Sequence, residues 1–181
     1  MKTKQLTKLA LLTAIALILF TVEAQIPPPV PIPGVKLGLA NIITVYAVFR
    51  YGPRDALLVL LARVLLGSAF AGSPATLLFS LGGGLLCWLV MLPLRRILTE
   101  KQIWVCGILG AMAHNVGQIA VCVAVYGTTA VLAYLPVLLL SGMATGLFTG
   151  FASQFLLARM RASRAFGAFG EAAQSDAERR N

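Results

Sequence analysis

Runs of about 18 or more nearly uninterrupted apolar residues recur along this chain, and nothing else constrains its fold as strongly. Such a run leaves no polar face to present to water, so it belongs in hydrocarbon. There, every backbone N–H and C=O must be satisfied internally, which leaves helices or closed barrels. The runs are continuous rather than alternating, which argues against a β-barrel. Composition agrees, since 59% hydrophobic and 12% charged residues cannot cover the surface of a 181-residue soluble domain. The expected class is an all-α, polytopic membrane protein embedded in the lipid bilayer.

Six spans are expected, at about 6–24, 37–51, 53–72, 74–93, 102–126 and 129–158. The second is short and the last is long enough to tilt or project beyond the bilayer. "RYGPRD" (50–55) and "AGSPAT" (71–76) read as turns, with Pro53 placed to start the third helix. "RRILTEKQ" (95–102) is the one strongly charged loop. Alternate connections put Lys2, Lys4, Lys8, Arg50, Arg54, Arg95, Arg96, Lys101, Arg159, Arg161, Arg164, Arg179 and Arg180 on one side and Lys36 alone on the other. The positive-inside rule then places both termini in the cytoplasm, in a multi-pass protein of the cytoplasmic membrane. The net charge of +9 is accounted for by this flanking pattern, so nucleic acid is not an expected partner. Residues 1–164 are read as the six-helix domain and 165–181, small and polar, as a flexible cytoplasmic tail. The N-terminus also has the layout of a signal peptide, with Val22 and Ala24 at cleavage-like positions, but counting it as a span gives the consistent charge pattern.

Polar groups inside spans are functional candidates, because lipid is a poor solvent for them. Arg63 lies ten residues after Pro53, about 15 Å along a helix and so near mid-membrane. It needs an acid, carbonyls, a wet cavity or an anionic ligand, and structural pairing and ligand binding stay equally open. "MAHNVGQ" (112–118) sets His114, Asn115 and Gln118 at three- and four-residue spacings on one helix face. These side chains line a cavity or hydrogen-bond between helices. Glu23 and Lys36 flank the first outer loop and either anchor two helices or close a polar site from above, with Asn41 one turn further in. Together Glu23, Lys36, Asn41, Arg63, His114, Asn115 and Gln118 form the expected small-molecule site, open to the outside.

Between the first two spans, "QIPPPVPIPG" carries Pro27, Pro28, Pro29, Pro31 and Pro33. It favours a stiff polyproline conformation that continues neither helix, read as a cap over the outer mouth or as a rigid spacer. Small residues form two seams: Ala10 and Ala14 in the first span, and Gly142, Gly146 and Gly150 in the last, the latter expected to pack internally. "SLGGGLL" (80–86) marks a close helix crossing or a kink.

Signs of catalysis are absent from the sequence. The six acids are not grouped for a metal, there is no aspartate-rich diphosphate motif and no P-loop, and the one histidine has no acid nearby in sequence. Cys87, Cys106 and Cys122 fall in spans as apolar packing residues. No catalytic residue, metal or cofactor is expected.

Six short spans, a lid-like first outer loop and Ala10-xxx-Ala14 resemble the substrate-binding S components of energy-coupling-factor (ECF-type) transporters. More closely, "PGVKLGLANI" and "AHNVGQ" are similar to the Gx transporter family, many of whose members carry the label heptaprenyl diphosphate synthase component I. The resemblance covers approximately residues 5–160. It implies a bound small-molecule substrate, a loop that closes the pocket, a first-helix seam at Ala10 and Ala14 against a transmembrane coupling subunit, and separate ATPases that power uptake. The label also implies an alternative: a non-catalytic membrane partner in polyprenyl diphosphate or quinone synthesis, or in flavin- or quinone-linked electron transfer.

Overall fold

A computed structural model describes residues 3–26, 38–72 and 74–180, with side chains as far as Arg161. Lys36 and the five prolines Pro27, Pro28, Pro29, Pro31 and Pro33 lie outside the described residues.

The described chain forms six α-helices: α1 (Thr3–Glu23), α2 (Asn41–Arg50), α3 (Pro53–Ala71), α4 (Pro74–Ile97), α5 (Ile103–Tyr126) and α6 (Leu135–Arg180). Among the described residues there is no strand. Pro53 and Pro74 open α3 and α4, where a missing N–H costs nothing. Short 3-10 turns, Glu100–Gln102 and Ala130–Tyr134, lead into α5 and α6. The backbone of α6 runs on helically past residue 164, so the division into a membrane domain and a tail remains a proposal.

The hydrophobic pattern is inverted relative to a soluble protein. Phe70 is 82% exposed and Phe155 72%, while polar side chains such as Gln118 and Asn115 are buried to 1% or less. Four segments, Thr3–Ala24, Pro74–Ile97, Glu100–Tyr126 and Ala130–Arg161, are long and apolar enough to cross a membrane. The six-span expectation is met only in part. α3 has the length, with 19 residues rising about 28 Å, but carries Arg54, Asp55 and Arg63. α2 is 10 residues, about 15 Å, rather than the expected 37–51. It starts late because Gly38, at φ +86°, begins a turn in which the Asn41 amide bonds the Gly38 carbonyl at 2.9 Å. Despite its length α2 is central: Ile43, Val45, Tyr46, Ala47 and Val48 are all buried.

Glycines set the closest helix contacts. On α6, a Cβ at Gly146 would lie 2.6 Å from the Ile108 Cα, and one at Gly150 2.6 Å from the Trp104 Cα, so the ridge Gly142–Gly146–Gly150 lies directly on α5. The Trp104 and Phe151 rings stack beside it, 6.0 Å apart. On α4, Gly82 and Gly83 cross α5 at Gly117, where a Cβ would come within 2.9 Å of the Gly83 Cα. "SLGGGLL" is therefore a close crossing within a continuous helix.

One end of the bundle is basic. There Gln5 Nε2 donates to Asp55 Oδ1 (2.9 Å), Trp88 Nε1 to the Pro53 carbonyl (2.9 Å), and Arg161 pairs with Glu100. These contacts gather the start of α1, the α2–α3 turn, the end of α4, the start of α5 and α6 near Arg161. Glu23 and Asn41 lie at the opposite ends of their helices.

Candidate functional site

Six of the seven expected binding residues are described, and all six are buried: Glu23 4%, Asn41 2%, Arg63 4%, His114 3%, Asn115 1% and Gln118 0% exposed. They come from the last residue of α1, the first of α2, the middle of α3 and one face of α5.

Glu23 reaches over the start of α2. One carboxylate oxygen accepts from the Gly38 amide and the other from the Ala40 amide at 3.4 Å. α2 has Ala40 at its N-cap position and no side-chain cap, and its first two amides, of Asn41 and Ile42, bond the Gly38 and Leu39 carbonyls. The acid of α1 thus ties down the turn that leads into α2, and its charge complements the positive end of the α2 dipole. Positive φ at Gly38 makes this approach possible. A Cβ there would lie 2.8 Å from Asn41 Nδ2 and 3.5 Å from His114 Cδ2, so the turn closes directly onto the site.

Arg63 Nη2 donates to Asn41 Oδ1 at 3.5 Å, and the guanidinium also interacts electrostatically with Glu23. A guanidinium has five N–H donors, and of these the Arg63 Nε–H is buried without a partner. Asn115 is in part a structural tie, because its Nδ2 donates to the Leu138 carbonyl of α6 at 2.6 Å. Gly142 makes room for that amide, since a Cβ there would come within 2.7 Å of Asn115 Nδ2.

Eight buried side-chain nitrogen or oxygen atoms among the described residues lack a hydrogen-bond partner, and six belong to this cluster. They are Asn41 Nδ2, Arg63 Nε, His114 Nδ1, Asn115 Oδ1 and both Gln118 amide atoms. Each such atom costs about 1–3 kcal/mol when left unsatisfied. Six unpartnered polar atoms are thus concentrated in one buried region shared by α2, α3 and α5.

Sequence reasoning missed four residues of this region. Gly38 is needed for the turn, and Gly83 forms the wall from α4, where a Cβ would meet the His114 carbonyl oxygen at 2.8 Å and Gln118 Cγ at 2.9 Å. Thr76 and Ser80 lie on the same buried face of α4 as Gly83. Their 76–80–83–87 spacing was the available signal for that face.

Other candidates lie elsewhere. Ala10 and Ala14 are exposed on α1 and line an apolar groove of about 530 Å³ with Leu58, Ala62 and Leu66 of α3. The Gly142–Gly146–Gly150 ridge faces α5. Among the described residues no group of three His, Cys, Asp or Glu is placed to hold a metal ion.

The family model described as heptaprenyl diphosphate synthase component I matches residues 12–156, a stretch that contains every described member of the polar cluster. No curated protein and no solved structure matches the chain.

Proposed function

The chain belongs to the heptaprenyl diphosphate synthase component I family, and from that premise we propose that it is a membrane-embedded small-molecule-binding subunit for uptake across the cytoplasmic membrane. In this reading it works as an S component: it captures substrate, while an ECF-type coupling subunit and separate ATPases supply the driving force. The observation that supports it is the buried cluster of unpartnered donors and acceptors on Asn41, Arg63, His114, Asn115 and Gln118. A substrate that enters from outside replaces the missing hydrogen bonds, and Glu23 with the Gly38 turn holds the entrance. Lys36 and the proline segment 27–33 form the lid. All six helices belong to the membrane bundle, with the short α2 enclosed by the others. Both termini face the cytoplasm and residues 165–181 form a tail.

Native mass spectrometry of gently purified protein tests this reading. A retained small molecule is expected, with retention reduced about tenfold or more in Arg63→Ala, the scale of one lost charged hydrogen bond. Protein that carries nothing, from cells competent for uptake, would count against it.

The family description favours a second reading, a non-catalytic membrane partner of a polyprenyl diphosphate synthase or of a quinone- or flavin-linked redox system. That role predicts a stable complex with a soluble synthase or redox protein, and no dependence of the complex on Arg63. No residue grouping in the chain supports a catalytic role of its own.

A further inference from the structure

At the basic end of the bundle, a second concave site lies between the start of α3 and the end of α4. It encloses about 520 Å³ and is lined by Pro53, Arg54, Trp88, Leu92, Arg95 and Arg96. We propose that this groove binds the phosphate headgroup of an anionic amphiphile whose hydrocarbon chain runs along α4 into the bilayer.

The polar end of the groove is built for phosphate. Arg54, Arg95 and Arg96 contribute three guanidinium groups, and among the described residues none of them has a carboxylate within ion-pairing distance. The two described acids at this end are engaged elsewhere, Glu100 with Arg161 and Asp55 with Gln5 of α1. The groove also meets the N-terminus of the 19-residue α3, whose first amides have no intrahelical acceptor. Gly52 makes that end accessible. At φ +109° it reverses the chain into α3, and a Cβ there would lie 3.6 Å from Arg95 Nη1, so the guanidinium is held beside the turn. Arginine forks on phosphate give short, charge-assisted and often bidentate hydrogen bonds.

The other end of the groove is built for hydrocarbon. Trp88, Leu92 and Arg95/Arg96 recur every three or four residues and share one face of α4. Trp88 lies seven residues before Arg95, about 10 Å deeper along the helix. Its indole N–H donates to the Pro53 carbonyl at 2.9 Å, which fixes the ring as a wall between α3 and α4. A ligand with charge at one end and an apolar chain at the other matches this gradient over one headgroup depth. Favourable charge at the C-terminus of α4 accounts for Arg95 and Arg96 being basic, but not for a concavity with a pinned tryptophan. Basic pockets between transmembrane helices on the cytoplasmic side are the general setting for headgroup binding. This site lies at the end of the bundle remote from the Arg63 cluster and does not depend on the uptake reading.

The test uses the full chain in a neutral detergent, with retention read by native mass spectrometry and unfolding midpoints by thermal melts. The probes are dioleoylphosphatidylglycerol, dioleoylphosphatidylcholine, geranylgeranyl diphosphate and inorganic diphosphate. Phosphatidylglycerol or the prenyl diphosphate should be retained and raise the midpoint while phosphatidylcholine does not, and comparison of the two identifies the headgroup. Arg95→Gln with Arg96→Gln should weaken retention about 10- to 30-fold, and the corresponding lysine pair should restore part of it. Arg54→Gln, at an exposed position compatible with folding, should weaken it by about fivefold. Equal retention of phosphatidylglycerol and phosphatidylcholine, or no effect of Arg54→Gln, overturns the proposal. Inorganic diphosphate binding as tightly as either amphiphile also overturns it, because the apolar wall would then contribute nothing.

Discussion

Glu23 is the last residue of α1, yet its carboxylate serves two amides of the turn that leads into α2, at Gly38 and Ala40. An acid that the sequence offered either as half of an anchoring pair with Lys36 or as part of a polar site is buried and holds the turn before α2. Glu23→Ala removes both acceptors and should cost about 1–3 kcal/mol, whereas Glu23→Gln keeps one acceptor oxygen and should cost clearly less. Chemical unfolding in detergent measures both, and equal losses would show that the hydrogen bonds are not what matters. Arg63 and His114 were identifiable from sequence because ionisable groups in apolar runs stand out. Asn115 was identified as well, but its bond to the Leu138 carbonyl shows that half of its amide is committed to holding α6.

Two seams of small residues look alike in sequence and differ in the folded helices. The Gly142–Gly146–Gly150 ridge meets the α5 backbone, and at Gly146 an added Cβ would lie 2.7 Å from the Gly107 carbonyl oxygen. Backbone cannot rotate away as a side chain can, so Gly146→Leu should destabilise the bundle by about 3 kcal/mol or more. Ala10 and Ala14 are exposed along the α1–α3 groove. Ala10→Leu with Ala14→Leu should therefore leave the unfolding free energy within about 0.5 kcal/mol and, under the proposed uptake role, block co-purification of a transmembrane coupling subunit. Stability lost in the alanine pair and kept in Gly146→Leu would reverse the assignment of inner and outer seams. Helix α2 carries the main departure from expectation: its apolar run suggested a span, but the Gly38 turn consumes the first part and leaves a ten-residue helix at the centre.

Across the bundle, the described basic side chains Lys4, Lys8, Arg50, Arg54, Arg95, Arg96, Lys101, Arg159 and Arg161 belong to helix ends and turns that the Gln5–Asp55, Trp88–Pro53 and Arg161–Glu100 contacts bring together. The buried polar cluster lies toward the other end. This polarity gives the bundle one basic end and, remote from it, a buried polar cluster. From the positive-inside rule we propose that the basic end faces the cytoplasm. A C-terminal reporter that is active only in the cytoplasm should be active, and an alkaline phosphatase fusion at the same point inactive. The opposite pair of results would invert the bundle and place the Arg63 cluster on the inner side.

Membrane class, the approximate limits of α1, α3, α4 and α5 and the buried polar residues of α3 and α5 were all present in the one-dimensional pattern. Hydropathy, proline placement and charge are local properties, and in hydrocarbon a misplaced polar group costs enough that its position alone is informative. Which face of each helix meets which neighbour is a different kind of quantity. The tie from Glu23 to the turn before α2, the closure of Gly38 onto His114, the wall formed by Gly83 and the outward turn of Ala10 and Ala14 depend on contacts between residues far apart in the chain. Those contacts follow from how six helices share a limited volume, and only the tertiary structure decided them.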